Sequence, residues 1–381
     1  MKVGILTSFY PEIHGGAEVS LAVLLDGLNK FGLDPVVFTP SRRRSNNNVR
    51  IVKIGRLGRT PKIVRLLGFP GLNSIFARSI SKSLKEHRID LLHVSDTYAL
   101  RAAARAVSQS KIPIVLSFHN NLNVPNASYS IPFPLSSWLD SRDKGVLEAT
   151  RKCSFTIATS NYIAQRLISA GLSPALVRPI YIGGAISLVG RSAPRSERTT
   201  MRILCVGTIQ YHKGFQNMAL AAKKLRNDGV PVDAVFVGVG PYLGKLRSLV
   251  SKLGLGGTVR LAGHVEWEEL ERLYDWCDIV VVPTITPEPF GRVAVEAMSR
   301  GRPVIGTNAG GLTEIIDDGV TGFLVSPGDS SAIAERILTF RNQPHLLDEM
   351  GERALEKCRV AFDQRMIAGQ VLDVYRSLAP N

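Results

Sequence analysis

Cysteine is scarce in this chain: Cys153, Cys205, Cys277 and Cys358 are the only four in 381 residues, far apart and without a CxxC pair. That spacing excludes a disulfide framework and a cysteine-built zinc site, and it predicts reduced, buried thiols in a cytoplasmic protein. Histidine is sparse as well: the seven include no HExxH, and no DxD pair offers carboxylates to a divalent ion. No metal and no cofactor are therefore expected. Long apolar runs are missing, the longest being strand-sized, such as "IVVVP" from Ile279, far short of the roughly 18–20 residues that cross a bilayer. The opening "MKVGILTSFYPEIHGG" has one Lys, a short apolar run and then Pro11. It lacks the long apolar region and small-residue cleavage site of a secretory signal, and it reads as a buried first strand. With 45% hydrophobic residues the chain is neither disordered nor fibrous, and its length suits two ordinary domains.

Acid is lacking in one place. Between Ser41 and Arg88 there are thirteen Lys or Arg against Glu86 alone, which supplies +12 of the net +15. Ile63, Val64, Leu66, Leu67 and Phe69 are interleaved with these cations, a composition suited to an anionic bilayer surface, with Arg42, Arg43, Arg44, Lys62 and Arg65 as candidate membrane or acceptor contacts. A solvated basic face over a buried apolar one is the alternative for Leu72 to Arg88. Few aromatics and no recognised binding module argue against nucleic acid.

Short apolar runs alternate with helical stretches in two α/β halves. Each half opens alike, with "MKVGIL" from Met1 and "MRILCVG" from Met201 leading into glycine-containing loops. "VVFTP", "LLHVS", "IVLSFH" and "FTIATS" continue the first half; "AVFVGVG", "VRLAG", "DIVVVPT", "PVIGT" and "GFLVS" continue the second. Strands apolar on both faces are covered by helices on both sides. The polar "GRSAPRSERTT", Gly190 to Thr200, is the expected linker between two doubly wound domains facing across a cleft, where such folds bind ligands.

Two glycine loops stand before helices. Gly15 and Gly16 precede a stretch with Val19, Val23, Leu24 and Leu28 at helical spacing, so backbone N–H groups there can approach an anion. In "VGTIQYHKGF" Lys213 can bring positive charge to a diphosphate without a metal. A third stretch, "PEPFGRVAVEAM", sets Glu288 and Glu296 eight apart. Pro289 keeps Glu288 in the loop, and the helix begins near Phe290 or Gly291. Glu296 then lies about 7.5 Å along the axis from Gly291. Between the carboxylates sits a helix N-terminus, a place for an anion. Carboxylates accept pairs of hydroxyl hydrogen bonds, so a nucleoside-diphosphate sugar fits: sugar hydroxyls at one end, ribose hydroxyls at the other. Solvated surface glutamates are the plain alternative for two carboxylates at this spacing.

"EPFGRVAVEAMSRGRPVIGTNAGGLTEIIDDGVTGFLVSPGD", Glu288 to Asp329, resembles the E(x7)E region and following elements of the retaining glycosyltransferases of family 4, which have the GT-B fold of two Rossmann-like domains. "YPEIHGGAE", "SFHNN" and "VGTIQYHKG" are similar to the family's N-terminal phosphate loop, its cleft-histidine segment and its G-R-x4-K-G segment, so the resemblance spans nearly the whole chain. It implies an acceptor domain at 1–190, joined by a C-terminal crossing helix at 361–381, and a nucleotide-sugar donor domain at 191–360. It implies that Glu288 binds the transferred sugar, that Glu296 binds the ribose, that Lys213 stabilises the leaving diphosphate, and that His119 reaches the sugar. Donor contacts are implied from Gly15, Gly16, Thr208, Gly240, Pro289, Phe290, Gly291 and Arg292. Thr208 stands where the family usually has Arg, so leaving-group stabilisation falls to Lys213 with Arg292 or His212. The implied partners are a UDP- or GDP-sugar and a glycan or lipid-linked acceptor, with the protein cytoplasmic or peripheral on the inner membrane face. A sugar-nucleotide epimerase and a non-catalytic nucleotide-sugar-binding or scaffold subunit remain the alternatives. Oligomeric state leaves no signature in the sequence.

Overall fold

The computed structural model of the chain describes residues 1–8, 16–40, 49–54, 70–121, 144–182 and 199–379. Nearly all of the expected linker, Gly15, and the five candidate membrane residues Arg42, Arg43, Arg44, Lys62 and Arg65 lie outside the described residues.

The chain divides into two compact units, Met1–Ala185 with Gln364–Asn381, and Ile186–Asp363. Along the first run β1 (Val3–Leu6), α1 (Gly16–Lys30), β2 (Val36–Thr39), β3 (Arg50–Lys53), α2 (Pro70–Glu86), β4 (Leu91–Val94), α3 (Thr97–Ala106), β5 (Ile114–Phe118), β6 (Phe155–Ala158), α4 (Asn161–Ser169) and β7 (Val177–Pro179). Along the second run β8 (Met201–Val206), α5 (Phe215–Asn227), β9 (Val232–Val237), α6 (Leu243–Lys252), β10 (Val259–Gly263), α7 (Trp267–Trp276), β11 (Ile279–Val282), α8 (Arg292–Met298), β12 (Val304–Thr307), α9 (Leu312–Ile315), β13 (Gly322–Val325), α10 (Ser330–Asn342) and α11 (His345–Ala361). The last helix, α12 (Gln364–Leu378), belongs to the first unit.

Both sheets are parallel, ordered β3-β2-β1-β4-β5-β6-β7 and β10-β9-β8-β11-β12-β13. Each reverses direction of growth beside its first strand, the signature of a doubly wound Rossmann-like domain. β1, β2, β4, β11 and β12 are buried along their whole length, as the all-apolar runs predict. β3 and β7 went unread in the sequence for a physical reason. Each is an edge strand: "RIVK" has charged, exposed ends and "VRP" ends in a proline, and edges tolerate both.

In the first unit α1 lays Leu21, Leu24, Leu25 and Leu28 against the sheet, and α12 adds Ile367, Val371 and Tyr375 to the same core. The two helices approach so closely at Gly27 that a Cβ there would stand 2.7 Å from the Ala368 Cβ. Gln364 Nε2 donates to the Val23 carbonyl at 2.8 Å and to Asp26 at 2.6 Å, fastening the start of α12 to α1.

Beneath α12 lies a buried polar chain. His93 on β4 has the Tyr375 hydroxyl 2.5 Å from Nδ1 and the Ser117 hydroxyl 2.6 Å from Nε2. Burial pushes this imidazole down to about 3, and His119 beside it adds to the effect. The folded-state value lies below the unfolded one of 6.5, so between those pH values the unfolded chain binds a proton that the folded chain refuses, and stability falls with pH. The melting temperature is therefore expected to drop continuously below pH 6.5, and His93→Gln should flatten that slope between pH 6.5 and 5. An equally steep slope in the variant contradicts the assignment.

Candidate functional site

Lys213 reaches its place through backbone geometry. After β8 the chain makes a 3-10 turn, Tyr211–Lys213, and leaves it at Gly214 with φ 74°. A Cβ at Gly214 would collide with the Pro283 carbonyl oxygen, so only glycine allows this turn to sit against the loop after β11. That loop is tied down: the His212 carbonyl accepts from Ile285 N at 2.7 Å, and the Thr284 hydroxyl lies 3.1 Å from the same oxygen. Beyond it the Glu288 backbone bridges to Gly310, and Gly311 N donates to the Glu288 carbonyl at 2.7 Å.

Two pinned loops thus bring a cation to a carboxylate. Lys213 Nζ stands 2.5 Å from Glu288 Oε1, with side chains 30% and 12% exposed. That exposure leaves the pair accessible to a ligand while screening it less than a surface pair. Burial lowers the pKa of neighbouring His212, the Lys213 charge lowers it further, and Glu288 opposes them. Its imidazole is neutral near pH 7, so the positive charge here is that of Lys213.

Phe290 is buried edge-on against Phe362, and Gly291, at φ 118°, caps α8. The helix has seven residues, about two turns, so its macrodipole is small. Glu296 lies within it, 8% exposed. Arg292 Nε meets Glu296 Oε1 at 2.6 Å, and the Tyr274 hydroxyl donates to Oε2 at 2.8 Å. Arg292 thus turns its Nε to Glu296 along the helix. Thr208 is exposed and its carbonyl accepts from Gln210 N at 2.8 Å; Gly240 packs on the Ile209 backbone. Pro289 lies between Glu288 and the buried Phe290.

In the first unit Gly16 opens α1, and His119 follows β5. Burial pushes the His119 imidazole down to about 4, leaving it neutral near pH 7. Asn120 Nδ2 donates to Thr97 Oγ1 at 2.9 Å. Asp96 caps α3 through Tyr98 N and Ala99 N, and accepts both the backbone N–H and the hydroxyl of Ser8. It joins the ends of β1 and β4. Among the described residues no three His, Cys, Asp or Glu form a group that could hold a metal ion, and no helix is long and apolar enough to cross a membrane.

The profile described as "Glycosyl transferases group 1" matches residues 191–357, and that of "Glycosyltransferase Family 4" matches residues 14–183. The chain belongs to the group 1, family 4 glycosyltransferases. The sulfoquinovosyl transferase SQD2 of Arabidopsis thaliana is 27% identical over 293 residues, covering 73% of this glycosyltransferase and 55% of that protein. The D-inositol 3-phosphate glycosyltransferase of a Nocardioides species is 29% identical over 339 residues, 81% of this chain and 72% of that one. The chain spans about half the length of several curated relatives it matches. HepE of Anabaena, solved in complex with UDP and glucose, aligns with TM-score 0.80 at 22% identity over 99% of this chain and 100% of that chain. The sucrose-phosphate synthase of Thermosynechococcus elongatus aligns with TM-score 0.82 at 21% identity over 99% of each chain. These alignments give the glycosyltransferase the GT-B fold.

Tyr274 and Arg300 escaped the sequence reading. Arg300, 6% exposed, bonds Glu271 at 2.5 Å and Asp275 at 3.1 Å on α7. In "EELERLYDWCD" a tyrosine at helical spacing reads as core, and only the fold shows its hydroxyl meeting a carboxylate 22 positions later.

Proposed function

We propose that this protein transfers a sugar from a UDP- or GDP-sugar to an acceptor hydroxyl, with retention at the anomeric carbon and without a metal. The observation that carries the reading is the Lys213–Glu288 pair, 2.5 Å apart, on the same stretch of structure as the nearly buried Glu296. Lys213 offers charge to a departing diphosphate, Glu288 accepts sugar hydroxyls and Glu296 accepts ribose hydroxyls. The backbone N–H groups near Gly291 are assigned to the diphosphate. Solved relatives in complex with UDP and with UDP-glucose support a nucleotide-sugar donor.

The basic segment supports an anionic acceptor surface. Among the described residues, α2 exposes Ile75 and, after it, Arg78, Lys82 and Lys85, with Lys82 paired to Glu86 at 3.6 Å. A lipid-linked acceptor at the inner face of the membrane is the reading that uses it.

Melting curves with UDP, GDP, ADP and their sugars, with magnesium and with EDTA, test the donor assignment. One nucleotide class should raise the melting temperature by about 3–7 °C at a hundredfold excess over its Kd, the lower figure if the whole chain unfolds together and the higher if the second unit unfolds alone, equally in EDTA. No shift with any of them contradicts it. Neutralising Arg42, Arg43, Arg44, Lys62 and Arg65 should reduce sedimentation with anionic liposomes, and unchanged binding removes the membrane part.

A further inference from the structure

Glu296 is a carboxylate with 8% exposure, and a charge so buried needs partners. The chain supplies one to each oxygen: Arg292 Nε at 2.6 Å on Oε1 and the Tyr274 hydroxyl at 2.8 Å on Oε2. A carboxylate oxygen accepts two hydrogen bonds, so each retains capacity for one more. Two such positions side by side match a vicinal diol. The match depends on the plane of the carboxylate, because a glutamate side chain held only at one oxygen pivots about its last torsion.

We infer that Tyr274 is a positioning residue that fixes the Glu296 carboxylate plane, and that it thereby sets how strongly the site distinguishes a ribonucleoside diphosphate from its 2′-deoxy counterpart. This rests on the reading that Glu296 takes the ribose hydroxyls. Tyr274 is fully buried, so it acts through Glu296 rather than on a ligand. Burial and the neighbouring carboxylate push its phenol well above the ordinary value, and the hydroxyl stays protonated as a permanent donor. The ring is held in turn. Arg300 grips Glu271 and Asp275, which stand three residues before and one after Tyr274 on α7, and Arg302 Nη2 donates to the Asp275 carbonyl at 2.7 Å. The end of α8 is thereby clamped to the helix that carries the phenol. Arg292, one turn before Glu296 on the same helix, cannot by itself fix a plane that needs two points.

Tyr274→Phe keeps the ring and removes the hydroxyl. Affinities for UDP, GDP and the 2′-deoxy form of each are measured by calorimetric titration in the wild type, Tyr274→Phe, Glu296→Ala and the double variant. The wild type should prefer the ribonucleotide by about tenfold, the scale of charge-assisted hydrogen bonds. In Tyr274→Phe that preference should fall to about twofold, and in the Glu296→Ala background the Phe substitution should change it no further. A merely structural tyrosine would weaken both nucleotides alike. A preference unchanged in Tyr274→Phe, or shifted equally with and without Glu296, overturns the inference. Loss of the underlying reading is told apart because it shows in the unmutated protein, as equal affinity for the two nucleotides; the inference falls with it.

Discussion

On the proposed function, Glu288→Ala is expected to lower kcat/KM for sugar transfer by about three orders of magnitude and to move the melting temperature little. The first part follows from position. Glu288 is the carboxylate that two loops press against Lys213, and a group engaging the reacting sugar contributes on the scale of other transition-state contacts, about 3–4 kcal/mol. The second follows from the exposure of its partner. Lys213 keeps 30% of its side chain in solvent, so it stays hydrated when the carboxylate is gone, and the lost pair costs on the order of 1 kcal/mol or less. The Glu288 backbone bonds to Gly310 and Gly311 do not involve the side chain. Initial rates with the donor identified by melting curves, beside thermal denaturation of the same preparations, check both halves. Full activity in the variant would remove Glu288 from the mechanism.

Lys213→Ala is expected to have a comparable effect with a different signature. Charge on the leaving diphosphate grows as the bond to the sugar breaks, so a cation that meets it contributes more to the transition state than to donor binding. The fall, about two to three orders of magnitude, should appear mainly in kcat, with KM changed less. His212 is the only other titratable cation in the 3-10 turn and is neutral near pH 7 because burial and Lys213 lower its pKa; Arg292 is bonded to Glu296. On this account neither is expected to replace the lost charge. Lys213→Arg should restore only part of the rate, since a planar fork does not match a point charge in a turn fixed by Gly214. A Lys213→Ala variant whose entire loss lies in KM would make Lys213 a binding residue only.

Most of the architecture was legible because buried parallel strands cannot hide. "VVFT", "LLHV", "IVVV" and "VIGT" are apolar on both faces, a pattern that calls for helices on either side. The edge strands β3 and β7 were not legible, since one flank of an edge carries little requirement for apolar residues. At the site, Lys213, Glu288 and Glu296 were marked by glycines, a proline and spacing. The contacts that orient them were not. The hold of Ile285 N on the His212 carbonyl is a backbone bond, indifferent to side-chain identity, and Tyr274 reaches Glu296 from another helix. The fold adds one contact that the sequence did not announce: the Nε of Arg292, a residue assigned to the donor site by resemblance, lies on Glu296.

The central claim is that a nucleoside diphosphate lies along the second unit with its phosphates at Lys213 and its ribose at Glu296. A crystal structure with bound UDP-sugar or GDP-sugar tests it most directly. The account predicts a phosphate oxygen within hydrogen-bonding distance of Lys213 Nζ, a sugar hydroxyl on Glu288, and both ribose hydroxyls on the Glu296 carboxylate. A nucleotide bound with its ribose away from Glu296, or with Lys213 and Glu288 untouched by it, would contradict that claim.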